Sequence, residues 1–305
     1  MAYENKRIAA IVVTYNRRSL LEKCLSGLEL QESLDSIIII NNGSSDDTQT
    51  FLNNYDSSKE LHVVNLKENT GGAGGFHEGI KLSASLGFAY SWIMDDDACA
   101  LDSALEKLLI AINLLNGEFG FLASNVISET GEAMNTPVID LRLSDNGYQS
   151  WTKHVDKGLV KIRMATFVSI LIKNELIQIL GLPVKEMFIW GDDSEYTQRI
   201  SNIAEGYLVG NSVVVHRRQT AGALNIIYET NQDRLKMYYR VYRNSLYRII
   251  KHENFGSLIK YILAGFLEIG KIILQSPNNI PERIWQVVKG YGVGYYFFWK
   301  LRNKY

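Results

Sequence analysis

Three consecutive aspartates, at positions 95–97, constrain this chain more than any other feature of its sequence. The residues before them, 88–94, read Phe-Ala-Tyr-Ser-Trp-Ile-Met, an apolar run that is typical of a buried strand. Burying three adjacent carboxylates in a core would carry a large desolvation cost. The strand is therefore expected to end at a cleft, where a cation can offset their charge. A helix cap is the alternative, but a cap needs a single acid.

The spacing of these aspartates predicts a metal site. Side chains alternate along an extended segment, so Asp95 and Asp97 should share one face while Asp96 points to the other side. Carboxylate ligands of this kind suit Mg²⁺ or Mn²⁺, which commonly accompany a phosphate. His216 follows an apolar strand pattern at residues 207–215 and is a candidate third ligand, although a lone histidine is more often structural.

Composition narrows the class of protein. A chain of 305 residues with 46% hydrophobic residues can form one large domain, or one domain with an appendage. Its formal net charge of -1 argues against a nucleic-acid partner, although residues 234–305 carry 13 Lys or Arg against 3 Glu. The two cysteines, Cys24 and Cys99, lack zinc or disulfide spacing. With neither a signal-peptide pattern nor a long apolar segment, a cytoplasmic protein is expected.

The order of apolar patterns predicts an α/β fold. In the first hundred residues, β-branched runs alternate with amphipathic helices, which indicates a parallel sheet covered on both faces. From residue 119 the rhythm changes, and apolar runs at 119–127 and 165–172 indicate a mixed sheet. We expect a catalytic domain at residues 1–220 and a helical region, rich in aromatic and basic residues, at 221–305.

Polar residues follow the first two predicted strands, at the sheet edge where parallel α/β proteins bind ligands. Residues 44–46 are more simply explained as helix caps. The candidate ligand contacts are Thr14, Tyr15, Asn16, Arg17 and Asn41.

A glycine-rich stretch at residues 69–76, Asn-Thr-Gly-Gly-Ala-Gly-Gly-Phe, is expected to open a helix. Its backbone amides could hold an anion, but a tight packing turn explains the glycines equally well. The stretch is neither a dinucleotide fingerprint nor a Walker loop. The candidate phosphate contacts are Gly71, Gly72, Gly74 and Gly75.

Acidic residues also fall in the first turn of a predicted helix that runs through residue 200. The segment 188–196 reads Phe-Ile-Trp-Gly-Asp-Asp-Ser-Glu-Tyr. The helix macrodipole favours ionised carboxylates there, and a general base must be ionised. Asp192 and Asp193 are therefore candidate catalytic residues, with a simple cap as the alternative.

Taken in order, these motifs resemble family 2 glycosyltransferases, inverting enzymes that use a nucleotide sugar and a divalent metal. The resemblance covers roughly residues 8–220. Gly-Gly-Ala-Gly-Gly-Phe together with the triple Asp is most similar to bacterial galactofuranosyltransferases and related rhamnosyltransferases. The implied fold is GT-A, a Rossmann-like mixed sheet flanked by helices, here with a C-terminal helical appendage.

The resemblance also implies roles for individual residues. Asp95, Asp97 and His216 would hold Mn²⁺ or Mg²⁺ beside the donor diphosphate. Asp193 would deprotonate the acceptor hydroxyl, and Asp192 would orient the acceptor sugar. Relatives commonly have Asp where this chain has Asn41, which leaves the nucleotide base open. Further substrate contacts are expected at Arg17, Asn41, Asn69, Asp96 and Trp190.

The expected activity is transfer of galactofuranose from UDP-galactofuranose to a glycan or polyprenyl-linked acceptor in cell-surface glycan synthesis. Rhamnose transfer from dTDP-rhamnose is the alternative. Nucleotidyl transfer would instead release pyrophosphate, and a non-catalytic sugar-binding module would not need the intact acids.

Two segments of the helical region, 238–248 and 291–305, mix aromatic and basic residues. This pattern favours contact with an anionic membrane on its inner face. Packing of these segments on the catalytic domain, or formation of a homo-oligomer through them, would account for the same composition.

Overall fold

The computed structural model describes residues 6–218 and 223–305. It contains ten strands and ten α-helices within those ranges. The strands are β1 (Ile8–Thr14), β2 (Ser36–Asn41), β3 (Glu60–Asn65), β4 (Tyr90–Asp95), β5 (Ala98–Ala100), β6 (Phe121–Ile127), β7 (Val138–Ile139), β8 (Leu159–Met164), β9 (Ser169–Lys173) and β10 (Gly206–His216). The helices are α1 (Arg18–Glu29), α2 (Thr48–Asn53), α3 (Gly71–Ser85), α4 (Ala104–Leu114), α5 (Glu175–Leu180), α6 (Asp192–Ser201), α7 (Gln232–Met237), α8 (Tyr239–His252), α9 (Phe255–Gln275) and α10 (Ile280–Leu301).

The strands form a single mixed sheet in the order β3-β2-β1-β4-β9-β6-β10-β8-β7, with β5 pairing with β10. Strands β1 to β4 are parallel, and β9 is antiparallel to both β4 and β6. Since β6 and β10 are parallel, β10 runs in the same direction as β4. The last residues of β4 and β10, Asp95 and His216, therefore lie at the same edge of the sheet.

The core lies on both faces of this sheet. All seven residues of β1 are buried, and alternate residues of the strand enter different apolar clusters, as the pleat requires. One cluster packs under α1 and α4, and the other packs under α3 and α6. The predicted sheet with helices on both faces is confirmed.

Two parts of the sheet differ from the sequence-based expectation. Strand β8 was not predicted: its Leu159 and Ile162 are buried, and the other four residues, Lys161 and Arg163 among them, are partly exposed. The apolar run predicted at 165–172 begins as a loop and becomes a strand only at β9. The continuous apolar run gave a clear sequence pattern for a strand, whereas buried residues do not alternate strictly with exposed ones along β8.

The C-terminal helices pack against the sheet domain through α8. This corrects the expectation that segment 238–248 faces a membrane, because Tyr242, Asn244 and Tyr247 are buried. The predicted boundary between residues 220 and 221 lies outside the described residues. Among the residues with described structure, no helix combines the length and hydropathy needed to cross a bilayer.

We predict that Gly75→Ala destabilises the protein, although Ala normally favours a helix by about 1 kcal/mol. A Cβ at Gly75 would lie 2.4 Å from Val13 Cγ1 in β1, so α3 would have to move away from the sheet. Overpacking of this kind costs about 1–3 kcal/mol, and a lower Tm in thermal unfolding is expected.

The matched control is Gly292→Ala in α10, where no atom lies within 4 Å of the added Cβ. This change should leave Tm equal or raise it. A Tm for Gly75→Ala as high as that of Gly292→Ala would contradict the close packing of α3 on β1.

Candidate active site

The three aspartates lie where β4 gives way to a turn and then to β5. Asp95 ends β4 and is partly exposed, whereas Asp96 and Asp97 are buried in the turn. One oxygen each of Asp95 and Asp97 and one ring nitrogen of His216 lie within 4.8 Å of one another. Two carboxylates and an imidazole fit a divalent cation.

The orientation of His216 depends on Asn135, which the sequence did not indicate. The ring Nδ1 of His216 lies 2.8 Å from Asn135 Oδ1, and its Nε2 lies 2.9 Å from Asp97 Oδ1. An amide oxygen can only accept, so Nδ1 donates to Asn135. This bond fixes the ring with Nε2 on the side of the carboxylates, where a metal ligand would have to be.

Asp96 is not one of these three candidate ligands; it lies in the turn after β4 and has partners of its own. Thr14 Oγ1 donates to Asp96 at 2.8 Å, and Arg17 Nη1 lies 3.3 Å from Asp96 and 3.0 Å from Asp97. Burial raises the pKa of Asp96 to about 6, against the opposing charge of Arg17. Substrate contacts of Thr14, Arg17 and Asp96 stay predictions. In this structure Thr14 and Arg17 donate hydrogen bonds to the aspartates, and the charge of Arg17 partly neutralises them.

The first two loops at the sheet edge are tied to each other. Asn16 has a left-handed φ of 54°, and its Oδ1 accepts from the Ser45 amide at 2.7 Å. Asn41 is buried and donates to Asn65 at 2.8 Å. Tyr15 is exposed beside them. Nucleotide contacts at these residues remain predictions.

Asn42 is a second residue that sequence reasoning missed. Its Nδ2 donates to the Gly71 carbonyl at 2.9 Å and to Asn69 at 3.2 Å, while its Oδ1 accepts from the Thr70 amide at 3.0 Å. It thereby joins the end of β2 to the start of α3.

Close packing accounts for three of the four candidate glycines. Added Cβ atoms would lie 2.0 Å from the Phe188 carbonyl at Gly71, 2.3 Å from Thr70 Oγ1 at Gly74 and 2.4 Å from Val13 at Gly75. Two amides at this helix start already have protein acceptors. The Gly71 amide donates to Asn69 at 2.8 Å, and the Ala73 amide donates to Phe188 at 3.1 Å. Gly72 alone of the four is open.

Asp192 and Asp193 form the first turn of α6, as predicted. Asp192 is buried, whereas Asp193 is partly exposed. Burial and the charge of Asp193 raise the pKa of Asp192 to about 8, and burial also raises the pKa of Asp193. Hydrogen bonds from backbone amides of the first turn lower both pKa values, but by less than burial raises them. Burial and the charges of Asp97 and Asp96 are the main causes of the raised pKa of Asp95, and the charge of Asp193 adds to them, so Asp193 lies within electrostatic reach of Asp95.

Helix α8 holds the segment that leads into these acids. Phe188 and Trp190 have left-handed φ values of 68° and 61°, which are uncommon for such bulky residues. Asn244 Nδ2 donates to the carbonyls of Met187, Ile189 and Trp190 at 3.1, 3.0 and 2.8 Å. The ring centroids of Trp190 and Tyr238 lie 5.2 Å apart. A substrate contact of Trp190 stays a prediction.

A buried ion network fixes α6 itself. Glu195 is fully buried and accepts from Arg199 at 2.6 Å, and it lies 2.8 Å from His252 Nε2 at the end of α8. Burial alone would raise the pKa of Glu195, but the hydrogen bond to His252 and the charge of Arg199 lower it to about 2. Two helices are thus locked together behind Asp193.

We expect Asn135→Ala to weaken Mn²⁺ binding by about tenfold or more, because loss of the Nδ1 partner frees the His216 ring to turn. Isothermal titration of the purified protein with MnCl₂ measures the affinity directly. Asn53→Ala, the same change at an exposed position of α2, is the control. Equal affinity of the two variants would exclude this role for Asn135.

A second prediction concerns pH. The pKa of Glu195 is lower in the folded protein than its ordinary value of 4.5, so ionised Glu195 stabilises the fold above about pH 4.5, and this contribution is lost as pH falls toward 2. Glu195→Gln should therefore reduce the free energy of unfolding by roughly 3 kcal/mol at pH 7 and by much less at pH 3.

Urea unfolding at both pH values tests this, with exposed Glu32→Gln as the control. A difference between Glu195→Gln and the wild type that is the same at pH 7 and pH 3 would refute the assignment.

Comparison with known proteins agrees with this geometry. The family model "Glycosyl transferase family 2" matches residues 9–117. Galactofuranosyltransferase GlfT1 of Mycolicibacterium smegmatis is 22% identical over 198 residues, which are 63% of this chain and 65% of that protein. Poly-β-1,6-N-acetyl-D-glucosamine synthase of Staphylococcus aureus strain COL is 33% identical over 96 residues, 31% of this chain and 22% of the synthase. The chain thus spans less than two thirds of the length of either relative.

Solved structures support the fold. Residues 1–349 of Staphylococcus aureus TarS, in complex with UDP-GlcNAc, align with a TM-score of 0.58 at 12% identity over 98% of this chain and 92% of that one. Mannosyltransferase PcManGT from Pyrobaculum calidifontis, in complex with GDP-Man and Mn²⁺, aligns with a TM-score of 0.56 at 14% identity over 97% and 87% of the two chains. The predicted fold class is confirmed: the mixed sheet and its flanking helices form a GT-A fold, in which residues 9–117 match the glycosyltransferase family 2 model.

Proposed function

We propose that the protein is an inverting, metal-dependent glycosyltransferase that transfers galactofuranose from UDP-galactofuranose to a glycan or polyprenyl-linked acceptor in cell-surface glycan synthesis. The observation that carries this proposal is the cluster of Asp95, Asp97 and His216, whose ligand atoms lie within 4.8 Å of one another. Asp193, the candidate base, lies within electrostatic reach of Asp95 in that cluster, which is compatible with direct displacement. The likeness to GlfT1 supports the choice of sugar.

The chemistry is a single displacement at the anomeric carbon of the donor. Asp193 takes the proton of the acceptor hydroxyl as the hydroxyl oxygen bonds to that carbon. The bond between the carbon and the β-phosphate oxygen breaks, and UDP departs with its electron pair. Attack from the opposite face inverts the anomeric centre, and no covalent enzyme intermediate forms.

Three side chains would hold the divalent cation: Asp95, Asp97 and His216. When bound, the cation supplies positive charge that stabilises the departing diphosphate. Arg17, half-exposed and 3.0 Å from Asp97, adds a second positive charge at the same edge of the sheet. Its guanidinium can bind phosphate oxygens bidentately.

The experiment is a donor panel with the purified protein, using release of the nucleoside diphosphate as the readout. The donors are UDP-galactofuranose, UDP-galactopyranose, UDP-glucose, UDP-GlcNAc and dTDP-rhamnose, each with Mn²⁺ and with EDTA. We expect Mn²⁺-dependent release of UDP from UDP-galactofuranose and loss of activity with EDTA.

Asp193→Asn should lower that rate by about 10²–10⁴-fold, the usual contribution of a general base. Exposed Asp47→Asn is the matched control. Turnover of dTDP-rhamnose or UDP-GlcNAc alone would overturn the donor assignment. Full activity of Asp193→Asn would overturn the assignment of the base, and release of pyrophosphate would indicate nucleotidyl transfer instead.

A further inference from the structure

Helix α9 exposes a continuous apolar face to solvent. Phe266, Leu267 and Leu274 are 68%, 69% and 84% exposed, and Phe255 at the start of the helix is 74% exposed. Residues 255, 259, 263, 266, 270 and 274 follow the spacing of one helix face, and each of them is apolar or glycine. An exposed apolar face of this length marks a surface that is covered by a partner.

The charges of α9 border this face. Lys260 and Lys271 are exposed, and helical periodicity places both beside Leu267, at the edge of the apolar stripe. Glu268 is turned inward, where the Tyr242 hydroxyl donates to it at 3.5 Å. The apolar stripe is therefore flanked by positive charge, and α9 presents no acid on this side.

Helix α10 repeats the pattern next to α9. The two helices pack through Tyr291, whose hydroxyl donates to the Tyr261 carbonyl at 2.8 Å and whose ring covers Gly265. On its outer side α10 exposes Trp285 and Trp299, which are 56% and 45% exposed. Arg302 Cζ lies 3.4 Å from the centroid of the Trp299 ring, and Lys289 follows Trp285 by one helical turn.

We propose that the outer face of α9 and α10 lies in the headgroup region of an anionic phospholipid bilayer. Lysines bordering apolar side chains can bury their stems and keep the ammonium groups among lipid phosphates, and tryptophan favours the same depth. A bilayer would also hold a polyprenyl-linked acceptor. This last point rests on the proposed function.

Charge decides between a bilayer and a second copy of this chain. Lys260 and Lys271 border the apolar stripe and α9 presents no acid beside them, so a symmetric contact through this face would bring like charges together. An anionic leaflet offers the opposite charge. The anionic bilayer is the better complement.

The experiment is co-sedimentation of the purified full-length protein with vesicles. Vesicles of phosphatidylglycerol and phosphatidylcholine are compared with vesicles of phosphatidylcholine alone. We expect binding to the anionic vesicles, and a loss of about tenfold or more in the partition coefficient for the double variant Leu263→Asp and Phe266→Asp. Lys260→Gln with Lys271→Gln should weaken binding to the anionic vesicles only.

Ile179→Asp is the matched control, because Ile179 is exposed on α5 in the sheet domain. It should bind vesicles as the wild type does, and thermal unfolding shows that each variant is folded. Release of UDP from the donor without lipid should be unchanged in the α9 variants, which separates this proposal from the proposed function. Failure of the wild type to bind anionic vesicles would overturn the proposal. The proposal would also be overturned if light scattering showed a wild-type dimer and the double variant Leu263→Asp and Phe266→Asp were monomeric but still bound vesicles.

Discussion

The concentration of negative charge at the end of β4 is the constraint on which the rest of the site depends. Burial and mutual repulsion raise the pKa of Asp95 well above its ordinary value, so the cleft is stable only with positive charge or donors around it. The structure supplies Thr14 and Arg17 from the end of β1, and His216 from the end of β10. These elements meet because β1, β4 and β10 run in the same direction across the mixed sheet.

A second dependence links the C-terminal helices to the candidate base. The segment before Asp192 contains two non-glycine residues with left-handed φ, and such strain persists only where the surroundings hold it. Asn244 provides this restraint with a single buried amide that donates to three carbonyls. Since Glu195 is bound to both Arg199 and His252, α8 also fixes the orientation of α6. The helical region thus contributes to the active-site geometry as well as to any surface contact.

Residues within local motifs could be predicted from the sequence, and residues that act across the fold could not. The buried strands β1, β2 and β4 are continuous apolar runs, and the aspartates stand directly after one of them. Asn42, Asn135 and Asn244 belong to no periodic pattern, and their partners lie far along the chain, so only the folded structure reveals them. The exposed face of α9 was missed for another reason. The apolar sequence pattern of a helix face is the same whether that face packs in the core or contacts a partner.

The glycine-rich start of α3 shows how one pattern can serve two physical purposes. Glycines before a helix suggest amides that are free to bind phosphate, yet here Gly71 and Gly75 allow close contact with Phe188 and Val13. The amides of Gly71 and Ala73 are already used by Asn69 and Phe188. The positive partial charge at a helix start lies on its unpaired amide N–H groups. Where those groups already donate to protein acceptors, they are not free to bind an anion. Arg17 and a cation at Asp95, Asp97 and His216 are then the main sources of positive charge for a diphosphate at this edge of the sheet, with the open Gly72 as the remaining backbone candidate.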